Sequence, residues 1–189
     1  MANLPISALP ETTGITTEAL FPVVQGGTTY KIKAGNIPSS KIYGSFYELN
    51  TQSGFTANTA YSVSASTTAN SSGITVVDGC KFTVASGGTY NIQFSLQLKK
   101  TSGGSSENID IWLSKNGDNV DYSNTRLTLQ NNNDLLVASW NFVETLNAGG
   151  FFELKISIDN THVIIYGLPS QTLPIRPAIP SAIITIVQV

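Results

Sequence analysis

The chain has 189 residues, and 10 Lys plus Arg against 12 Asp plus Glu leave a formal charge of −2. Charged residues make up 12 % of it, half of the roughly 25 % usual in globular proteins, and 21 Ser, 21 Thr and 16 Asn fill the difference. With no basic surplus to neutralise phosphates and no run of about 18 apolar residues to span a bilayer, neither nucleic-acid binding nor membrane insertion is expected.

Prolines divide the chain. All eight lie toward the ends, at Pro5, Pro10, Pro22 and Pro38, then at Pro169, Pro174, Pro177 and Pro180. Proline removes a ladder donor and is kept out of central strands, so the proline-free stretch 39–168, rich in Thr, Val, Ile, Tyr and Phe, reads as continuous sheet. Residues 1–41 read as an extended N-terminal arm. Short apolar pieces such as Leu20-Phe21-Pro22-Val23-Val24 are separated there by Thr, Gly and Pro. A small hairpin around Gly26-Gly27 is the most such a segment can form, too little to bury a core. The boundary is expected at 39–42, with a globular head over 42–189.

Within the head, period-2 alternation dominates. Over 90–98, Tyr90, Ile92, Phe94, Leu96 and Leu98 share one face and Asn91, Gln93, Ser95 and Gln97 the other. Over 108–115, Ile109, Ile111 and Leu113 oppose Asp110, Trp112 and Ser114. Over 151–158, Phe152, Leu154, Ile156 and Ile158 oppose Phe151, Glu153, Lys155 and Ser157. Turn residues fall between these runs: Gly87-Gly88, Gly103-Gly104, Asn116-Gly117 and Asn147-Ala148-Gly149-Gly150. Asn-Gly is the strongest short hairpin signal, because both residues tolerate positive φ. No stretch keeps a 3.6-residue apolar period over three turns. About eight short strands without helices predict an all-β antiparallel sandwich or jelly roll.

Three segments are apolar on both faces. Over 181–189, Ile183, Val187 and Val189 oppose Ala182, Ile184 and Ile186; over 163–168, Val163 and Ile165 oppose Ile164, Tyr166 and Leu168; over 135–143, Leu135, Val137 and Val143 oppose Leu136, Ala138, Trp140 and Phe142. Such strands need cover on both sides, and one sandwich core covers one side of each sheet. Six large apolar side chains left wet would forfeit about 10 kcal/mol, comparable with a whole domain's stability. Another copy of the chain is the expected cover; the chain's own apolar arm is the competitor.

The order of blocks in the head resembles a group of viral structural proteins. It runs Gly88-Thr89-Tyr90-Asn91-Ile92-Gln93-Phe94-Ser95, Ile109-Asp110-Ile111-Trp112-Leu113-Ser114-Lys115-Asn116-Gly117, Ala138-Ser139-Trp140-Asn141-Phe142, Leu146-Asn147-Ala148-Gly149-Gly150 and Pro180-Ser181-Ala182-Ile183-Ile184-Thr185-Ile186. The group carries a jelly roll similar to tumour necrosis factor (TNF) and to the globular heads of complement-type proteins. Separately, Leu4-Pro5-Ile6-Ser7-Ala8-Leu9-Pro10 and the stretch from Leu20-Phe21-Pro22-Val23-Val24-Gln25-Gly26-Gly27 to Ile32 are similar to an N-terminal module of tailed-phage particle proteins. The resemblance implies a TNF-like jelly roll and a compact homotrimer, with the sheet that holds the C-terminal strand facing the threefold axis. On that reading Trp140, Phe142, Tyr166, Ala182, Ile184 and Ile186 line the trimer interface, and residues 20–27 anchor the arm to other virion proteins.

Candidate chemistry is sparse. His162 is the only imidazole, placed in Asp159-Asn160-Thr161-His162, which reads as an exposed turn. Any Ser-His-Asp or Cys-His machinery must use it, and three copies meeting on an axis could bind a metal through it. Cys80 can form no internal disulfide and reads as a small filler. Asp110 and Glu153 lie on different strands and make no evident glycosidase pair. The loop Asn116-Gly117-Asp118-Asn119-Val120-Asp121 offers oxygen ligands for calcium but lacks the ordered loop with a terminal Glu, and reads first as a hairpin tip. Trp112 and Trp140, with Tyr43, Tyr47 and Tyr122, could form a sugar-stacking surface, packing in core or interface being the first reading. Asn70-Ser71-Ser72 matches a glycosylation sequon.

The expectation is therefore a non-enzymatic virion structural protein without a cofactor, a homotrimeric capsid decoration or head-fibre protein. It would assemble in the host cytoplasm, since the N-terminus has no signal-peptide pattern, and sit on the virion surface. The alternative is a short tail-fibre or adhesin tip that binds a host surface glycan.

Overall fold

The computed structural model describes residues 14–16, 18–34 and 41–189. The chain divides into two units, Met1–Ser40 and Lys41–Val189. The motif at 4–10 and part of the junction expected at 39–42 lie outside the described residues.

In the first unit, β1 (Leu20–Gln25) and β2 (Thr28–Lys33) form an antiparallel hairpin running from Leu20↔Lys33 to Gln25↔Thr28. Gly26 and Gly27 turn it at φ 59° and 79°, the left-handed pair that matches the twist of a two-residue hairpin. Pro22 is tolerated because both strands of a lone hairpin are edges. Phe21 and Ile32 are half-buried opposite one another, whereas Leu20, Val23, Val24 and Tyr30 are exposed.

The second unit begins with β3 (Tyr43–Glu48), β4 (Tyr61–Ser62), β5 (Thr67–Ser72), β6 (Ile74–Val77), β7 (Lys81–Val84) and β8 (Gly88–Lys100). It continues with β9 (Glu107–Lys115), β10 (Asp118–Asn119), β11 (Thr125–Leu129), β12 (Leu135–Leu146) and β13 (Phe151–Ile158). It ends with β14 (Val163–Ile165), β15 (Gln171–Thr172), β16 (Ile175–Arg176) and β17 (Ala182–Gln188). One sheet has the order β10-β9-β13-β7-β6, with β11 also on β9 and β4 on β13; the other has the order β12-β8-β17-β3-β5, with β14 also on β8. Every pairing is antiparallel, and the described residues contain no α-helix. The consecutive strands β6 and β7, and β9 and β10, pair as hairpins, while β8 with β12 and β17, β9 with β13 and β3 with β17 join distant parts of the sequence. The architecture is an antiparallel jelly-roll sandwich.

Alternation builds the core. Tyr90, Ile92, Phe94, Leu96 and Leu98 of β8 face Ile109, Ile111 and Leu113 of β9 and Phe152, Leu154, Ile156 and Ile158 of β13 across the sandwich, and all are buried. Rings interlock between the sheets, Phe46 with Phe82 at 5.0 Å and Tyr90 with Phe152 at 6.2 Å between centroids. The Tyr90 hydroxyl donates to the Ser86 carbonyl at 2.6 Å, so no polar group is orphaned by burying that ring.

The C-terminal strand corrects one expectation. Ala182, Ile184 and Ile186 do not face a partner. They are 0 %, 1 % and 0 % exposed, inside the chain's own core. Register is the reason. β17 lies between β8 and β3, where Ile184 stands beside Phe94 and Phe46, and Ile186 beside Ile92 and Gly44. Residues directly opposite in a sheet share a face, so the inward residues of β8 and β3 draw these three inward. Ile183 and Val187 point outward.

Polar groups close the rims. Glu48 accepts hydrogen bonds from Asn50 N (3.0 Å), Asn50 Nδ2 (2.9 Å), Ser66 Oγ (2.8 Å) and Ser64 Oγ (3.3 Å). Lys115 of β9 and Glu144 of β12 bridge the two sheets at 2.9 Å. Lys100 is buried, and its Nζ donates to the carbonyls of Ser105 and Gln130, at 2.9 Å to the latter. Gly167 passes so close to the end of β3 that its N–H donates to Thr51 Oγ1 at 3.1 Å, and a Cβ there would meet the Leu49 carbonyl oxygen.

Two predictions follow from these rims. Burial acts to raise the Glu48 pKa, but the hydrogen bonds from Asn50, Ser66 and Ser64 together outweigh it and hold the carboxyl below its ordinary value. A carboxyl that binds its proton less readily folded than unfolded stabilises the fold above the ordinary carboxylate range. That contribution is lost as pH falls through the folded value. Glu48→Gln should therefore lower stability at pH 7 by about 1–3 kcal/mol and show a shallower loss between about pH 5 and 3; identical pH dependence in urea titrations of both proteins would refute this. Gly167→Ala should cost about 1–3 kcal/mol in the same assay, because the obstacle is backbone that cannot step aside.

A candidate self-association face

Pairing arranges the outward residues of the sheet that holds β17 in rows. Tyr47, Ile183, Ser95 and Ser139 form one; Ser45, Thr185, Gln93 and Asn141 the next; Tyr43, Val187, Asn91 and Val143 the third. Beyond them Gln97 stands beside Val137, and Lys99 beside Leu135 and Ile164. The apolar members remain open to solvent, Leu135 at 64 %, Val137 at 55 %, Val143 at 58 %, Ile183 at 38 % and Val187 at 42 %. Among the described outward residues of this sheet, Lys99 alone is charged, and its Nζ sits 4.7 Å from the centroid of the Tyr166 ring. The outer face of the other sheet differs. It carries the pairs Asp110–Arg126 and Glu153–Lys155, and Lys81 paired with Asp78. Depletion of charge with retention of aliphatic and Tyr side chains is the composition of an interface core. At its centre the small Ser95 and Ser139 leave a dip of about 180 Å³ beside Gln93, Ile183 and Thr185, room for a side chain of a facing surface.

The remaining residues expected at the interface fall in two places. Tyr166 lies outward over Lys99. Trp140 and Phe142 turn to the inner side of β12 and pack on Phe94, at 4.5 and 6.0 Å between centroids. They stay half-buried because β12 is the terminal strand of its sheet. The Trp140 indole N–H is buried with no acceptor, at a cost of about 1–3 kcal/mol. Ile183, Val187, Leu135, Val137 and Val143 carry the outward face, and alternation against the polar residues of β8 was the signal that marks them.

The other candidates are held by structural partners. His162 is not a free turn residue: its Nδ1 lies 2.9 Å from Oε1 of Glu107, which is wholly buried, and Gly103 packs against the ring. The second Glu107 oxygen is buried without a partner. Asp110 and Glu153 are on adjacent strands, but Asp110 stands beside Ser157, four residues from Glu153. Four residues of strand span about 13 Å, beyond the roughly 5–10 Å of a glycosidase pair. The Arg126 guanidinium bonds Asp110 at 3.0 and 2.7 Å and, with Asn124, holds its carboxyl below the usual range against the effect of burial. Glu153 is tied to Ser62 at 2.8 Å and Lys155 at 3.1 Å. Burial, then the Glu153 charge, pushes the half-buried Cys80 thiol up, away from the reactive thiolate. Asn116 and Gly117 turn the β9–β10 hairpin at φ 55° and 94°, and the described residues hold no cluster of three metal-ligating side chains. Asn70 is exposed on β5. Tyr43 and Tyr47 join the outward face already described, while Trp112 and Tyr122 lie on the opposite sheet's side of the molecule, around one depression.

No protein-family model and no curated protein matches the sequence. Among solved structures, the chain is similar to that of Eiger TNF from S. frugiperda, at 12 % identity over 79 % of this chain and 93 % of that one, with a TM-score of 0.47.

Proposed function

We propose that the protein is a non-catalytic, homotrimeric structural component of a virion surface, a capsid decoration or head-fibre protein. The observation that carries the trimer is the outward face of the β17 sheet, which exposes five aliphatic side chains and is nearly free of charge, on a molecule whose opposite face is laced with ion pairs. Half-exposed Ile and Val side chains retain roughly 1 kcal/mol each of unused burial energy. The five exposed aliphatic side chains, Leu135 among them, supply about 5 kcal/mol, only the low end of the roughly 4–15 kcal/mol that association costs in lost freedom, so Tyr43, Tyr47 and the central dip belong to the contact as well. The virion context is supported by the ordered blocks of the head and by the module at 20–32. There the hairpin exposes Leu20, Val23, Val24 and Tyr30 with no core of its own, which suits a segment completed by another protein's surface. Three arms on one trimer multiply weak contacts into stable attachment.

Sedimentation tests the face. The wild type should run near 60 kDa, three times the 20.1 kDa of one chain. The double variant Ile183→Asp, Val187→Asp should run as a folded single chain, whereas Ile184→Asp, which buries a carboxylate, should unfold. A wild type that stays at one chain's mass, or a double variant that stays trimeric, would sink the reading. Deleting residues 1–40 should leave trimers that no longer attach to particles; loss of trimerisation would move the subunit contacts into the arm.

A further inference from the structure

A second surface lies on the outer side of the charged sheet, at the loop that follows β10. Trp112, Asp110, Asn119, Tyr122, Asn124 and Ser157 line a depression of about 390 Å³, within the range of about 300–1,000 Å³ that holds small ligands. Its two aromatic residues are unlike ordinary surface rings. The Trp112 indole N–H donates to Asn119 Oδ1 at 2.7 Å, so the ring's polar edge is satisfied and its orientation set. Tyr122 is 106 % exposed, with its backbone at φ 62°, a left-handed conformation that costs any residue with a Cβ.

The chain holds that conformation firmly. Val120 N–H donates to the Leu113 carbonyl at 2.9 Å, and the buried Ser123 hydroxyl donates to the Val120 carbonyl at 2.7 Å and accepts from Leu113 N–H at 3.1 Å. Residues on both sides of Tyr122 are thus pinned to β9 while its ring stands wholly in water, in no ring contact or hydrogen bond with another described residue. A strained aromatic that contributes nothing to its own fold points to a ligand.

We propose that this depression binds a neutral saccharide, a hexopyranose or N-acetylhexosamine unit. A pyranose presents an apolar C–H face, which suits a fixed aromatic ring, and a rim of hydroxyls that both donate and accept. The rim of the depression offers both functions. The amides of Asn119 and Asn124, the Ser157 hydroxyl and the Asp110 carboxylate, ordered by the Arg126 fork and by Asn124 at 3.2 Å, supply them. Arg126 neutralises Asp110, so the carboxylate of Asp121 leaves one net negative charge at the rim, which disfavours phosphates, sialic acids and other anions. The inference is independent of the trimer reading, because it stands on the other sheet.

The experiment uses the full chain on an array of neutral, amino and acidic glycans, followed by titration with the methyl glycoside of whichever neutral sugar is retained. Tyr122→Gly is the informative variant, since glycine adopts the left-handed backbone without strain and the fold is kept or stabilised. It should weaken binding about tenfold or more, the loss of one stacked ring, with no fall in melting temperature. Trp112→Phe, which loses the bond to Asn119, should weaken binding as well. Retention of no neutral glycan, retention of anionic glycans alone, or unchanged affinity in Tyr122→Gly would overturn the proposal.

Discussion

The insertion of β17 between β8 and β3 organises everything else in the head. Cross-strand neighbours must share a face, so the seven positions paired with β8 transmit that strand's unambiguous division, apolar inside and polar outside, to a strand that is apolar on both sides. Ala182, Ile184 and Ile186 complete the core beneath Phe94 and Phe46. Ile183 and Val187 are left on an outer surface where Val143, Val137 and Leu135 are exposed among Ser, Asn, Gln, Thr and Tyr, with Lys99 at its end. The aliphatic outer face therefore results from registry as much as from composition. It is the half of a two-sided strand that one sandwich has no means to cover.

The two outer faces divide the labour. On the β17 side exposed Leu, Ile and Val side chains stand among uncharged polar and Tyr residues, with Lys99 the one charge among the described outward residues, suited to contact with a rigid surface of the same kind. On the β9 side carboxylates and cations satisfy one another in pairs, and Trp112 and Tyr122 stand among them over a shallow cup. Surface ion pairs of that sort add little stability. Their geometric effect is larger, because a carboxylate gripped by an Arg fork and an Asn keeps its orientation. Such fixed groups serve recognition better than floppy ones, since less freedom is lost when something binds.

Much of this was legible in the residues. β8, β9 and β13 have one apolar and one polar face, and alternation alone placed their inward side chains. Turn chemistry marked the hairpins at Gly26-Gly27 and Asn116-Gly117, where positive φ is required. What alternation could not decide was the facing of 181–189, for both its residue sets are aliphatic and only the neighbours' register separates them. Likewise Trp140 and Phe142 read as free for a partner, although they reach Phe94 from an edge strand and are partly covered at home. His162 read as a solvent-facing turn residue because its partner, Glu107, is 55 positions away in sequence. Nothing local announces that a buried carboxylate waits there. The pinned turn around Tyr122 was hidden for the same reason, since it depends on Ser123 reaching back to Leu113.

One topological fact bears on how the molecule is made. Of the described strands, β17 is the latest to be synthesised, yet it occupies the middle of its sheet rather than an edge. Until it arrives, β8 and β3 have no common neighbour and the inner rows of two strands lack their centre. The sandwich thus has the character of an arch closed by its keystone: the earlier strands can pair locally during translation, but cooperative folding of the sandwich waits for β17. Without β17 the middle of that sheet is missing, and β8 and β3 are left with sticky, unmatched edges.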